Sequence, residues 1–175
     1  GRDPPPLDVL YWDNDSTRLP AALHHDFVDM YDRAVFEHHG RHRVLGVPVD
    51  YGKVCVDTYF TAGLDDYLMP WSAVYRSARV FRGRHRFVLS DSGHVQSLLR
   101  PPRLAKTLYY TNDEFPESAE EWLASARRHD GTWWGDWYAW LARNSGALKT
   151  APRRLGTARH PPIADAPGEY AVQKL

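Results

Sequence analysis

The sequence predicts an α/β fold built around a parallel strand pair, and three neighbouring segments carry that expectation. Val54 to Thr61 is rich in β-branched and aromatic residues and runs into Ala62-Gly63, which reads as a strand ending in a turn. Trp71 to Phe81 follows, with Trp71, Val74, Tyr75, Ala78 and Val80 approximating one apolar helix face. After Gly83, Arg86 to Ser90 reads as a second strand. Strand, helix and strand within about 35 residues form a βαβ unit, whose strands run parallel through a right-handed crossover.

The remaining elements fall on either side of this unit. Gly1 to Pro6 contains three consecutive prolines and is expected to be an extended lead-in. Leu7 to Trp12 is apolar and aromatic enough for a short strand, and Asp13 to Thr17 is a polar turn. From Pro20, the residues Leu23, Phe27, Met30, Tyr31, Ala34 and Val35 recur at helical spacing, predicting a helix over 20–36 with one buried face and Gly40 placed to end it. Beyond Pro101-Pro102 the pattern is irregular until Ser118, where Ser118 and Glu121 form a capping box for a helix to about Arg128. Gly131 interrupts the chain, Trp133 to Asn144 reads as a further helix, and a Pro-, Gly- and Arg-rich tail follows from Gly146. The whole of 1–175 is expected to be one partial domain.

Composition narrows the function. Twenty-two lysines and arginines balance 22 aspartates and glutamates, against the positive excess that a general nucleic-acid or anionic-membrane binder needs. No apolar run approaches the ~20 residues of a membrane span. The single cysteine, Cys55, rules out an internal disulfide; flanked by Val54 and Val56 in the predicted strand, it is expected to be a buried, inert thiol. The first residue is Gly1 rather than methionine, which suggests a processed chain or a piece of a longer one.

Chemistry concentrates where the two predicted strands end. One runs into Leu64-Asp65-Asp66-Tyr67-Leu68-Met69-Pro70-Trp71, the other into Ser90-Asp91-Ser92-Gly93-His94-Val95. In open α/β sheets, function collects in the loops at such carboxyl ends. An acid after one strand and a histidine after the next is the order used by α/β-hydrolase triads. The carboxylate fixes the histidine tautomer and stabilises the imidazolium that forms when the ring takes a proton. The plainer alternatives are an aspartate capping a helix and a histidine satisfied locally.

Several segments together resemble the polyhydroxyalkanoate synthases. Trp12-Asp13-Asn14-Asp15-Ser16-Thr17-Arg18-Leu19-Pro20-Ala21-Ala22 is similar to that family's W-N-x-D-x-T-R-L-P-A-A segment. Ala62-Gly63-Leu64-Asp65-Asp66-Tyr67-Leu68-Met69-Pro70-Trp71 resembles A-G-x-x-D-H-I-x-P-W, and Leu89-Ser90-Asp91-Ser92-Gly93-His94-Val95-Gln96-Ser97 resembles L-S-x-S-G-H-I-Q-S. Pro101-Pro102, Gly131-Thr132-Trp133-Trp134 and Ala166-Pro167-Gly168-Glu169-Tyr170 match later landmarks in the same order. Gln96-Ser97 and Leu19 to Ala22 lean towards the synthases that prefer medium-chain monomers.

The resemblance implies the C-terminal half of an α/β-hydrolase fold, with Asp66 as triad acid, His94 as triad base and residues 20–40 near a cap. It also implies a cytoplasmic enzyme, commonly dimeric and at the surface of polymer granules, polymerising (R)-3-hydroxyacyl-coenzyme A without a metal or organic cofactor. The family's nucleophilic cysteine in a G-x-C-x-G elbow has no counterpart in this sequence, so the chain alone is expected to be inactive and to need an N-terminal part carrying that cysteine. Other readings are a non-catalytic domain that binds granules or a synthase subunit, and a hydrolase completed by a second chain. Tyr67 stands where the family has histidine, and Asp13 where it has asparagine.

Three further groups have plainer readings. His38 and His42 lie at i, i+4 beside His39, but Arg41 and Arg43 repel a cation, so a solvated basic turn is expected rather than a metal site. Trp133, Trp137 and Trp140 at i, i+4, i+7 predict packing onto the core, with a granule-facing surface as the alternative. Arg82-Gly83-Arg84-His85-Arg86 fits a polar turn or a site for coenzyme A phosphates.

Overall fold

The computed structural model describes residues 18–35, 38, 40–103, 106–166 and 168–169. The expected lead-in, the strand at Leu7 to Trp12 and the turn after it lie outside these residues. The chain divides into two compact units, Gly1–Trp137 and Tyr138–Leu175.

The first unit is built on a four-stranded mixed sheet. β3 (Thr58–Gly63) pairs in parallel with β4 (His85–Ser90), in a register running from Thr58 opposite His85 to Gly63 opposite Ser90. The intervening helix α2 (Trp71–Ala78) completes the expected βαβ unit. β5 (Leu108–Thr111) and β6 (Arg127–Asp130) extend the sheet antiparallel, giving the order β3-β4-β5-β6. Among the described residues β3 is paired on one side only.

These last two strands correct the expectation for 101–128. The stretch after Pro101-Pro102 is not irregular throughout, because it contains β5. Ser118 does cap a helix, accepting from the Glu121 N–H, but α4 (Ala119–Ala124) ends early and Arg127 to Asp130 is strand. β6 is entirely polar, so apolar periodicity could not reveal it. It is held by pairing with a strand distant in sequence and by His129, whose ring stacks on Tyr109 at 4.7 Å and whose Nε2 meets Thr111 Oγ1 at 2.8 Å.

The core lies between the sheet, α2 and α4. Tyr75, Phe87, Leu89 and Trp122 are fully buried. Tyr75 stacks on Phe115 at 4.6 Å, and Phe87 meets Trp122 edge-on at 5.0 Å, both favoured aromatic geometries. Phe87, Val88 and Leu89 are buried in succession, as expected of a central strand covered on both faces.

The N-terminal elements differ more from expectation. α1 (Ala21–Asp32) is shorter than 20–36 and has no buried residue; Tyr31 is 86% exposed. Leu23, Phe27 and Tyr31 of the predicted buried face are therefore exposed, whereas Val35, past the end of the helix, is buried. The chain turns at Ala34, which adopts a left-handed φ of 45°, before Gly40 is reached. β1 (Arg43–Val44) and β2 (Val47–Pro48) form a small hairpin closed by Leu45 and Gly46, both at positive φ, the backbone demanded by a two-residue hairpin turn with matching twist. A 3₁₀ turn, Tyr51–Lys53, leads towards β3.

Cys55 also departs from its expected place. It is exposed and precedes β3. Val54 and Val56 lie against the turn before β4 rather than in the ladder: Arg82 N–H donates to Val54 O at 2.9 Å, and Thr58 N–H to Arg84 O at 2.9 Å. Gly83 is required there, because a Cβ on it would lie 2.0 Å from Val56 O.

α3 (Gln96–Leu99) follows β4, and α5 (Trp134–Asn144) begins in the first unit. No residue of α5 is buried. The expected burial of its tryptophans is thus not found, and Trp133 instead packs on Tyr59 and Trp137, each at 6.1 Å. In the second unit no helix or strand follows Asn144 among the described residues; Thr157 and His160 exchange backbone bonds around Ala158-Arg159. No described helix is long and apolar enough to cross a membrane.

Removing the largest core side chain tests this packing. Trp122→Ala is expected to cost about 3–5 kcal/mol in urea unfolding, whereas Tyr31→Ala on exposed α1 should stay within about 0.5 kcal/mol. Equal losses would contradict the placement of the core.

Candidate functional site

The carboxyl ends of β3 and β4 are joined by backbone hydrogen bonds that continue past the ladder. Leu64 N–H donates to Ser90 O at 2.8 Å and Asp65 N–H to Ser92 O at 3.3 Å. So close an approach needs glycine at 63: a Cβ there would lie 2.4 Å from Ser92 O and 3.1 Å from the Ser97 side chain. Ser92 and Ser97 are buried beneath the loops. Ser97 N–H donates to Gly93 O at 2.9 Å and its hydroxyl to His94 O at 3.3 Å, so His94 sits in a locally bonded turn.

This scaffold brings Asp66 and His94 together. Asp66 Oδ2 lies 2.8 Å from His94 Nδ1. Its other oxygen, Oδ1, accepts from Leu68 N–H at 3.0 Å and Met69 N–H at 2.9 Å, an Asx-type turn that locks the carboxylate rotamer. A carboxylate only accepts, so Nδ1 is the nitrogen that donates, and in the neutral ring Nε2 is the one with the free lone pair. The Asp66 side chain is 7% exposed and that of His94 46% exposed. Acid behind, base in front: the arrangement suits a histidine that takes protons from a group arriving at the surface. Burial pushes the Asp66 pKa up, but hydrogen bonds from Met69 N–H, His94 and Leu68 N–H outweigh it and hold the carboxyl below its ordinary value.

Tyr67 is exposed and is not among the Asp66 partners. The other singled-out residues lie elsewhere. Cys55 precedes the amino end of β3, roughly 20 Å along the strand from the loop that carries Asp66, too far to serve His94. Arg84 and Arg86 also lie at the amino end of their strand. Arg84 pairs with Asp57, and Arg86 with Asp136 and Asp113, so both guanidinium groups already face carboxylates. His42 bonds and stacks on Tyr51. Among the described residues no three His, Cys, Asp or Glu side chains are grouped to hold a metal. A cavity of about 420 Å³ between α1 and the β1–β2 hairpin and one of about 270 Å³ beside β5 and α4 are both remote from Asp66 and His94.

Reasoning from residue types missed Gly63 and Ser97 as parts of the site. Both stand in the segments that carried the resemblance, but what they do is set by one strand's end approaching the next loop. Gln96 is used locally, accepting from Arg100 at 2.8 Å, so Gln96 and Ser97, two of the positions that leaned towards medium-chain monomers, are occupied with local structure.

Two outcomes check the geometry. Gly63→Ala should destabilise by roughly 1–3 kcal/mol in urea unfolding, since backbone must shift; no change would contradict the close approach. Asp66 has a lower pKa folded than unfolded, so its contribution to stability is present above the ordinary carboxylate value of about 3.9 and is lost as pH falls through the folded value. Asp66→Asn should therefore flatten the fall in unfolding free energy below about pH 4, and an unchanged slope would contradict the bonding described.

No family model matches the chain. Among characterised proteins it is 43% identical over 174 residues to poly(3-hydroxyalkanoate) polymerase 2 of Ectopseudomonas oleovorans, covering 99% of this chain and 31% of that protein. Poly(3-hydroxyalkanoate) polymerase 1 of the same organism is 39% identical over 174 residues, with the same coverage. Poly(3-hydroxyalkanoate) polymerase subunit PhaC of Cupriavidus necator is 40% identical over 175 residues, covering 99% of this chain and 30% of that protein. The chain thus spans a little under a third of the length of these relatives. Over nearly its whole length it corresponds to the C-terminal part of poly(3-hydroxyalkanoate) polymerases.

Proposed function

We propose that this chain supplies the acid and base of a Cys-His-Asp triad in a poly(3-hydroxyalkanoate) polymerase. The observation that carries the reading is the Asp66 Oδ2 to His94 Nδ1 contact of 2.8 Å, with the Asp66 side chain largely covered and His94 open. In this account β3, paired on one side only among the described residues, takes the preceding strands of an α/β-hydrolase sheet on its other side. Those strands bring a cysteine elbow towards His94 Nε2.

The chemistry runs in two steps. His94 takes the cysteine proton, the thiolate attacks the thioester carbonyl of an (R)-3-hydroxyacyl-coenzyme A, and the imidazolium returns the proton to the coenzyme A sulfur as it leaves, giving an acyl-enzyme and a neutral His94. His94 then deprotonates the 3-hydroxyl that attacks this acyl-enzyme, and the chain grows by one ester. Asp66 holds the ring in the productive tautomer and stabilises its charged form in both steps. The scheme calls on no metal or organic cofactor. The enzyme works in the cytoplasm, as a dimer at the surface of the polymer granule.

A non-catalytic role in binding granules or a synthase subunit is the second reading. It takes its support from the exposed apolar side chains of α1, Leu23, Phe27, Val28 and Tyr31.

In a polymerase that contains this segment, His94→Ala and Asp66→Ala should each slow coenzyme A release by about 10²–10⁴-fold, measured with a thiol reagent and a 3-hydroxyacyl-coenzyme A. Near-normal turnover in both variants would overturn the triad reading and favour the second one.

A further inference from the structure

His94 follows the last sheet residue of β4 and precedes a helix of only four residues, Gln96–Leu99. So short a helix does not hold itself together, and its terminal carbonyls have no partners within it. Two of them are met from outside by side chains next to each other in sequence. Trp133 Nε1–H donates to Ser97 O at 2.6 Å, and Trp134 Nε1–H donates to Leu98 O at 2.9 Å. Ser97 is the residue whose hydroxyl reaches His94 O and whose N–H holds Gly93 O.

The tryptophans are themselves anchored to the sheet that carries the site. Trp133 packs against Tyr59 of β3, and the Tyr59 hydroxyl donates to Asp136 Oδ1 at 2.9 Å. Asp136, in the first turn of α5, also pairs with Arg86 of β4. The clamp therefore joins the two strands that present Asp66 and His94 to the segment that fixes the far side of the His94 turn.

We propose that Trp133, assisted by Trp134, is a positioning residue for His94. By holding the Ser97 and Leu98 carbonyls, the two indoles keep the His94 ring where its Nδ1–H meets Asp66. This inference rests on the acid–base reading of the Asp66–His94 pair and deepens it. The cause is geometric: one-turn helices are easily unwound, and a shift of about 1 Å is enough to lose an aligned hydrogen bond.

The test reads the histidine ring itself in the ¹⁵N-labelled 175-residue chain, by long-range proton–nitrogen correlation at a pH where the ring is neutral. In the unsubstituted chain the Nδ1–H tautomer of His94 is expected to dominate, and Asp66→Ala should abolish that preference. Trp133→Phe keeps a ring against Tyr59 but removes the donor, and should lower the Nδ1–H to Nε2–H ratio about threefold or more, as loss of one ordinary hydrogen bond would. Trp137→Phe, which alters a ring touching Trp133 but no bond to Ser97, should leave the ratio unchanged. If Trp133→Phe loses its dispersed amide spectrum, Trp134→Phe decides by the same ratio. A wild-type ratio in the folded tryptophan variant overturns the positioning role while leaving the pair intact. Absence of any preference that Asp66→Ala removes overturns the acid–base reading itself.

Discussion

The parallel register of β3 on β4 is the constraint on which the rest of the site depends. Pairing Gly63 with Ser90 makes both strands end at the same level, so that their loops leave the sheet side by side. The backbone bonds from Leu64 and Asp65 to Ser90 and Ser92 then carry the pairing into the loops. A one-residue slip would reverse every side chain across the sheet, moving Phe87 and Leu89 to the face that holds Val88 and separating Asp66 from His94. Core and site are thus set by one register.

Within that frame the two halves of the pair are held by different means. Asp66 is fixed locally, by two backbone N–H groups of its own loop, and these bonds also keep it charged against the cost of burial. His94 is fixed at longer range, because the turn that bears it ends in carbonyls that its own four-residue helix cannot satisfy. A charged acid held beside an open histidine specifies which ring nitrogen donates, which a mobile carboxylate would leave unspecified.

How much of this could be read from residues alone follows from how local each feature is. The βαβ unit was legible, because strand and helix periodicities switch cleanly between Thr61, Trp71 and Arg86. The segments holding Asp66 and His94 were legible as loops at strand ends, and the likeness to polyhydroxyalkanoate synthases is matched by three relatives at 39–43% identity. β5 and β6 were not legible, since Arg127 to Asp130 has no apolar alternation and is defined by its partner. α1 misled for the opposite reason: Leu23, Phe27 and Met30 keep helical spacing, yet they line an open cavity facing the β1–β2 hairpin rather than a packed core, and the helix has no buried residue. Cys55 between two valines looked like core and lies exposed, because the backbone of that stretch follows the turn before β4. Gly63 and Ser97 were in view as letters, but their roles come from an approach between segments roughly 30 residues apart, which no local pattern encodes.

The central claim is that Asp66 is an ionised partner of His94 rather than an ordinary surface carboxylate. The most direct measurement is the titration of the Asp66 side-chain carboxyl by carbon-13 NMR, in the 175-residue chain and in its His94→Ala variant. The account predicts a pKa below the ordinary value of about 3.9, moving upward when the imidazole is removed. A carboxyl titrating at the ordinary value and unmoved by His94→Ala would contradict it.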